Sequence, residues 1–150
     1  MRDNNGVSYQ DYDRYHKYCS SRLKTIRQKL KFHGGMKAKS YAYRKPSLDI
    51  INDKRYLELP LVMAERCFAI ASLLKNDPGH YSKVRVVKHI RSKLAKAVKY
   101  SERFNQLCTL DLCTFNTFVE SKIYLYQANG NLDLEKMDFK SACDNFAIAK

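Results

Sequence analysis

Lysine and arginine side chains crowd one stretch of this sequence, residues 12–32, which reads YDRYHKYCSSRLKTIRQKLKF. After Asp13 no acidic residue follows until Asp49, so nothing along this part of the chain balances the charge. Cations at this density suit the phosphates of a nucleic acid, whereas a face that is merely solvated normally mixes both signs. A membrane surface is a further alternative. The stretch therefore predicts nucleic-acid contacts by Arg14, Lys17, Arg22, Lys24, Arg27, Lys29 and Lys31.

An apolar stripe runs through the same stretch. Its members recur at spacings of three and four and so share one face of an α-helix: Tyr12, Tyr15, Cys19, Leu23, Ile26 and Leu30. Such a helix can dock on a core through the stripe while its remaining circumference presents cations. We predict a helix from Tyr12 to Phe32 that ends at Gly34 and Gly35, because consecutive glycines suit a helix C-terminus.

Residues 36–47 (MKAKSYAYRKPS) lack helical periodicity and interleave cations with tyrosines. Cations meet phosphates and aromatic rings stack on unpaired bases, so this composition indicates a loop that contacts nucleic acid. A polar connector with incidental tyrosines is the alternative. The candidate contacts in this loop are Lys37, Lys39, Tyr41, Tyr43, Arg44 and Lys45.

A second basic helix is predicted over residues 82–108. Its apolar stripe comprises Val87, Ile90, Leu94, Ala97, Ser101, Phe104 and Cys108. Glu102 is the only acidic residue in the range 83–103. This segment repeats the design of the first helix, and its candidate nucleic-acid contacts are Arg85, Lys88, Arg91, Lys93, Lys96 and Lys99.

The remaining segments carry helical periods and none alternates with period two, so the protein is predicted to be all-α, built from antiparallel helical hairpins. One further helix is expected from Asp49 or residue 53 to residue 75, with a kink or a restart at Pro60, whose ring removes a backbone hydrogen bond. A fourth helix is expected over residues 111–127, with the apolar positions Phe115, Phe118, Val119, Ile123 and Tyr126. A fifth helix is expected from Phe139 to the end.

The C-terminal residues fit a tetratricopeptide unit, in which small residues let two antiparallel helices approach and rings fill the gap. Asn129 and Asp133 depart from the pattern, so the unit is degenerate, and an ordinary helical hairpin is the alternative. The matching positions are Tyr126, Gly130, Phe139, Ala142, Phe146 and Ala149.

A length of 150 residues and 45% hydrophobic content fit a single domain, residues 1–150, which we expect to be a fragment of a longer protein. The net charge of +13 is concentrated in the two basic segments, whereas residues 104–150 are mildly acidic and suit a structural or protein-facing end. The sequence shows neither a secretory signal nor an apolar run of spanning length, and its 5 cysteines are widely spaced. These features indicate a cytosolic or nuclear protein with reduced thiols.

Catalytic and cofactor motifs are missing from the sequence, which has no glycine-rich phosphate loop, no Gly-x-Ser-x-Gly and no His-Glu-x-x-His. Cys108 and Cys113 have no nearby histidine or second cysteine pair to complete a zinc site. Glu65 and Arg66 are interpreted as a structural ion pair. We therefore predict that the protein is not an enzyme and uses neither a cofactor nor a metal.

Three segments resemble, in this order and at similar separations, the N-terminal RNA-binding domain of the 68-kDa subunit of the signal recognition particle: YDRYHKYCSSRLKTIRQKLKF, NDKRYLELPLVMAER and SKLAKAVKYSERFNQLC. The degenerate tetratricopeptide unit follows where that family has one. The resemblance therefore extends from about Tyr12 to Ala149. It implies a helical module that binds the particle's RNA near its branched junction, bends it, and places a basic helix in the major groove.

Carried over by position, the resemblance makes residues 14–31 the inserted helix, with Arg14, Arg22 and Arg27 at arginine-rich positions. Lys24 and Lys29 stand where the family has arginines, and a lysine offers a point charge instead of a planar fork. The family further implies other particle proteins as partners, bound through a missing C-terminal part, and no direct membrane insertion. It also implies a cytoplasmic location with a nucleolar assembly stage, and a role in co-translational targeting to the endoplasmic reticulum.

The physical chemistry of RNA favours a branched target for such a helix. The major groove of A-form RNA is too deep and narrow to be read by side chains, so a helix needs RNA that a junction or bulge has widened. The competing classes are a tetratricopeptide-type scaffold with non-specific RNA affinity and a membrane-surface module.

Overall fold

The computed structural model describes residues 5–30, 55–77, 83–108 and 113–150. Within these ranges the regular structure is entirely helical, which confirms the all-α prediction. A short 3₁₀ helix, Val7–Tyr9, precedes the α-helices, which are α1 (Tyr12–Lys29), α2 (Arg55–Lys75), α3 (Val84–Cys108), α4 (Phe115–Lys136) and α5 (Phe139–Ile148).

Each helix packs mainly on its neighbours in sequence: α1 on α2, α2 on α3, α3 on α4 and α4 on α5. Contacts between α1 and α2 show that these helices are antiparallel, because the residue number falls along α2 as it rises along α1: Tyr12 meets Phe68, Tyr15 meets Glu65, and Arg22 meets Glu58. In this succession α1 has one principal neighbour, whereas α3 has two.

The stripe predicted for α1 faces the core. Its buried members are Tyr15, Cys19, Leu23 and Ile26, while Tyr12 and Leu30 are half-buried. The Asp11 side chain caps the helix by accepting a hydrogen bond from the backbone N–H of Arg14 at 3.0 Å. The predicted end at Phe32 and the two glycines after it lie outside the described residues.

α2 continues without interruption from Arg55 to Lys75, so the predicted restart at Pro60 is wrong. Pro60 lies in the second turn of the helix, where its missing N–H leaves only a first-turn carbonyl without its usual partner. The ring itself is buried and contributes to the core. The predicted starts of this helix, at Asp49 or residue 53, lie outside the described residues.

α4 is longer than predicted, since it continues through Gly130 to Lys136 instead of ending at Gln127. An Asn-Gly pair favours turns in isolation, but here the segment remains helical against α5. Phe115 and Val119, both predicted as apolar contacts of this helix, are exposed. Its buried positions are Ser121, Gly130, Leu132 and Glu135.

Gly130 explains how closely α4 and α5 approach. A Cβ atom at this position would lie 2.7 Å from Cε1 of the Phe146 ring, too close for a real side chain. Ala142 on α5 is buried, and the Asn145 amide donates a hydrogen bond to Asp133 Oδ2 at 2.9 Å. The hairpin therefore has the small residue and the ring in the roles that the tetratricopeptide pattern predicts.

Candidate nucleic-acid interface

The cations of α1 lie outside its buried stripe. Arg22 and Arg27 are half-buried, and the remaining predicted contacts that the structure describes are exposed: Arg14, Lys17, Lys24 and Lys29. Because α1 packs mainly on α2, most of its circumference faces away from the helical stack. The predicted contacts at Lys31, Lys37, Lys39, Tyr41, Tyr43, Arg44 and Lys45 lie outside the described residues.

Two of the α1 cations contact acidic side chains. Lys17 Nζ lies 2.5 Å from Asp13 Oδ2, and this hydrogen bond, together with the Asp13 charge, raises the pKa of Lys17. Arg22 Nη2 lies 2.6 Å from Glu58 Oε2 on α2. Arg22 therefore fixes α1 against α2, and only part of its guanidinium is available to a ligand.

α3 presents its cations on a narrower surface, because it packs on both α2 and α4. Arg91 Nε donates a hydrogen bond to the backbone carbonyl of Glu135 on α4 at 3.1 Å, so this guanidinium also joins two helices. Lys93 is half-buried, and the other predicted contacts of the helix are exposed: Arg85, Lys88, Arg91, Lys96 and Lys99.

Arg66 on α2 is a candidate that the sequence analysis missed. Adjacent residues on a helix do not face each other, and this rule could have argued against the ion pair assigned to Glu65 and Arg66. In the structure Glu65 is buried and accepts a hydrogen bond from the Tyr15 hydroxyl on α1 at 2.7 Å. Arg66 Nε is enclosed, and no acceptor in the described part of the chain bonds to it.

The charges that act on His16 come from three helices. Burial lowers the pKa of His16, the charges of Arg66 and Lys93 lower it further, and Asp13 opposes them. These cations belong to different helices, since His16 is on α1, Arg66 on α2 and Lys93 on α3. Cations from α2 and α3 therefore lie near enough to His16 of α1 to affect its pKa.

The connection from α3 to α4 brings two thiols together. Burial, the Cys113 charge and a hydrogen bond with Cys113 raise the pKa of Cys108 to about 12, so this thiol stays protonated near neutral pH. Within the four described ranges, no group of three or more His, Cys, Asp or Glu side chains could hold a metal ion. None of the described helices has the length and apolarity needed to cross a bilayer.

Residues 7–150 match the family model of RNA-binding signal recognition particle 68. The chain is 31% identical over 148 residues to signal recognition particle subunit SRP68 of Dictyostelium discoideum. It is 28% identical over 149 residues to the same subunit of Drosophila melanogaster. Both alignments cover 97% of this chain and 24% of the relative, so the chain spans about a quarter of the length of these curated relatives.

The fold is similar to that of a solved structure, the SRP68-RBD from Chaetomium thermophilum, with a TM-score of 0.81 and 23% identity. That similarity covers 93% of this chain and 66% of the other. At this identity it supports the fold alone. The family model, however, includes α1 to α5 with the 3₁₀ helix before them. This chain belongs to the RNA-binding signal recognition particle 68 family.

Proposed function

We propose that this domain binds the RNA of the signal recognition particle near its branched junction, bends that RNA, and inserts α1 into a widened major groove. The observation that carries the proposal is the division of α1 into a buried apolar stripe and an outward surface of cations. In this proposal α3 lies along the flanking backbone and contacts phosphates. The family description, which is RNA-binding, supports the choice of ligand.

The size of a helix makes a branched RNA a better target than a plain duplex. An α-helix with its side chains is about 10–12 Å across, and the major groove of A-form RNA is too narrow for it. A junction or bulge widens the groove, and a bend held by the protein keeps it open. Recognition would then depend on the shape of the RNA, with affinity supplied by phosphate contacts.

Contacts between α1 and α2 support the inserted helix. Bending a nucleic acid costs energy, so the element that holds the bend must be firmly placed. α1 is held by the buried bond between Tyr15 and Glu65, by the ion pair of Arg22 with Glu58, and by the rings of Tyr12 and Phe68, whose centroids are 6.5 Å apart.

The role of the domain in this proposal is binding, without catalysis or membrane insertion, in support of particle assembly and co-translational targeting to the endoplasmic reticulum. Other particle proteins would bind to regions that correspond to the parts of the relatives outside the alignment with this chain. The location would be cytoplasmic, with a nucleolar assembly stage. The residues between Lys31 and Lys45 would add phosphate contacts and base stacking by Tyr41 or Tyr43.

A salt series tests the proposal. Binding to a branched RNA and to a linear duplex of equal length is measured at several salt concentrations. Affinity for both should fall steeply with salt, because phosphate contacts release counterions, and the branched RNA should remain preferred throughout. Equal affinity for the two RNAs at every salt concentration would contradict the shape-selective part of the proposal.

The same experiment addresses the alternative, a tetratricopeptide-type protein scaffold with non-specific RNA affinity. Exposed apolar side chains near the α4–α5 turn, Leu134, Met137 and Phe139, are the observation that favours this alternative. A scaffold of that kind would bind both RNAs equally and weakly. A bend measured by fluorescence transfer between the RNA arms would distinguish the proposals again, since a scaffold would leave the arm distance unchanged.

A further inference from the structure

We propose that His16, Arg66 and Lys93 form a binding site for one RNA phosphate where α1, α2 and α3 meet. The inference deepens the proposed function, on which it rests, by adding α2 to the RNA surface. A general basic patch would attract many phosphates loosely. This site is a half-enclosed cluster, with one residue from each helix, that binds a single phosphate group.

Helix packing brings the three residues to one level. The hydroxyl of Tyr15 reaches Glu65, so the next residues along each helix, His16 and Arg66, belong to the same turns of α1 and α2. Phe68, two residues after Arg66 on α2, packs against the core cluster that contains Leu94 of α3. Lys93 adjoins Leu94 in sequence and so belongs to the same turn of α3, and its charge acts on His16.

The Nε of Arg66 is enclosed and has no hydrogen-bond partner among the described residues, although the residue as a whole is only half-buried. An enclosed donor without an acceptor is unfavourable, and a charged one more so. A phosphate oxygen would supply the acceptor, and guanidinium and phosphate match in a two-bond geometry that other cations cannot reproduce.

The charges around the cluster are predominantly positive. Among the described residues, the charged groups that act on His16 are Asp13 and Lys17 from α1, Arg66 from α2 and Lys93 from α3. Asp13 is the only acid among them, and it already pairs with Lys17. This balance leaves the position between the helices electropositive, which favours an anion.

Cys67, the next residue on α2, is affected by the same cations. Burial raises the pKa of its thiol, while the charges of Lys93, Arg66 and Lys96 lower it. Two cations of α3, Lys93 and Lys96, therefore act on a side chain of α2. The nearest acid on α2, Glu65, is buried and accepts the Tyr15 hydroxyl.

Sulfate is a suitable probe of the site, because it is a tetrahedral dianion whose charge does not change over the titration of a histidine. The pKa of His16 is measured by NMR in sulfate and in chloride at equal ionic strength. An anion beside the imidazole favours the protonated form, so the pKa should be higher in sulfate. Equal values in the two salts would overturn the site.

Two variants assign this difference to the cluster. Arg66→Gln and Lys93→Gln should each reduce the sulfate-dependent rise in the His16 pKa, whereas Lys140→Gln on α5, with the same change of charge, should leave it intact. The readout is the difference between the salts, so a shift that a variant causes in both salts does not affect it. An undiminished difference in both cluster variants would also overturn the site.

RNA binding then separates this inference from the proposed function. Arg66→Gln should weaken binding by about tenfold and reduce the slope of the salt dependence by about one phosphate contact. Lys140→Gln should bind as the unmodified chain does, and circular dichroism verifies that both variants are folded. If the unmodified chain prefers the branched RNA and Arg66→Gln binds as tightly as Lys140→Gln, the inference fails and the proposed function stands. If Arg66→Gln weakens binding but branched and linear RNA bind equally, the proposed function fails and the phosphate site stands.

Discussion

The two basic helices follow the same sequence design and occupy different positions in the fold. α1 and α3 each bury one apolar stripe and carry cations on the other faces. α1 packs mainly on α2, whereas α3 is enclosed between α2 and α4. Position in the stack, and not charge, therefore decides how much of a basic helix the other described helices cover.

The helices also differ in the hydrogen bond that a buried hydroxyl of each helix makes. One buried hydroxyl of α1, on Tyr15, donates a hydrogen bond to Glu65 of α2 at 2.7 Å. The buried hydroxyl of α3, on Ser101, bonds to its own helix at the Ala97 carbonyl, at 2.9 Å. The buried Tyr15 hydroxyl therefore links α1 to α2, whereas the buried Ser101 hydroxyl links α3 to no other helix.

Loss of arginines from α1 should produce the largest effect. Replacing both Arg14 and Arg27 by alanine should reduce affinity for branched RNA by about a hundredfold, because each removes a charged hydrogen-bond donor. It should also reduce the RNA bend. Replacing Lys96 and Lys99 on α3 should cost roughly three- to tenfold, through phosphate contacts alone. Titration and fluorescence transfer measure both quantities. A larger loss from the α3 pair would show that the inserted helix has been misassigned.

The buried hydroxyls provide a second contrast, in stability. Tyr15→Phe removes the donor to a buried carboxylate and should lower the free energy of unfolding by about 1–3 kcal/mol. Ser101→Ala removes only a bond within its own helix and introduces a better helix former, so it should change stability by less than about 1 kcal/mol. Urea unfolding of both variants measures the difference. Equal losses would mean that the bond from Tyr15 to α2 stabilises the fold no more than the bond of Ser101 within α3.

Glu58→Gln should have smaller effects: it should lower the stability of the fold slightly and tighten RNA binding slightly. It removes the partner of Arg22, and because both side chains are about 40% exposed, stability should fall by less than about 1 kcal/mol. The released guanidinium and the loss of a negative charge should tighten RNA binding by roughly two- to threefold. Glu102→Gln on the exposed side of α3 is the matched control for the change of charge. If both variants tighten binding equally, Arg22 itself gains no contact from losing Glu58.

Acidification should cause the smallest change. The folded protein lowers the pKa of His16 from its ordinary value of 6.5, so the unfolded chain binds this proton more tightly. The stability that comes from neutral His16 is therefore present above pH 6.5 and is lost as the pH falls through the lowered folded pKa. Urea unfolding above and below this range should show a decrease that His16→Gln reduces. An identical decrease in His16→Gln would assign it to other groups.

Much of the fold could be predicted because local patterns are strong in this chain. The spacing of Tyr15, Cys19, Leu23 and Ile26 defines the buried face of α1, and the structure buries those side chains. Gly130 and Phe146 were placed correctly because a close helix crossing requires a small residue opposite a ring. The extent of α4 was not predictable in this way, since the Asn-Gly pair in it is a turn signal that only packing against α5 overrides.

The candidate site, like the fold, is predictable from the sequence only in part. The sequence by itself determined which helices are basic and which of their faces are buried, because both properties repeat at the period of a single helix. Among the described helices, tertiary structure alone decided that α1 has one main neighbour and α3 two. It also decided that Arg22 reaches Glu58, and that the charges of Arg66 and Lys93 act on His16. These facts depend on how residues distant in sequence are brought together, and a periodic pattern contains no information about which helix will lie beside which.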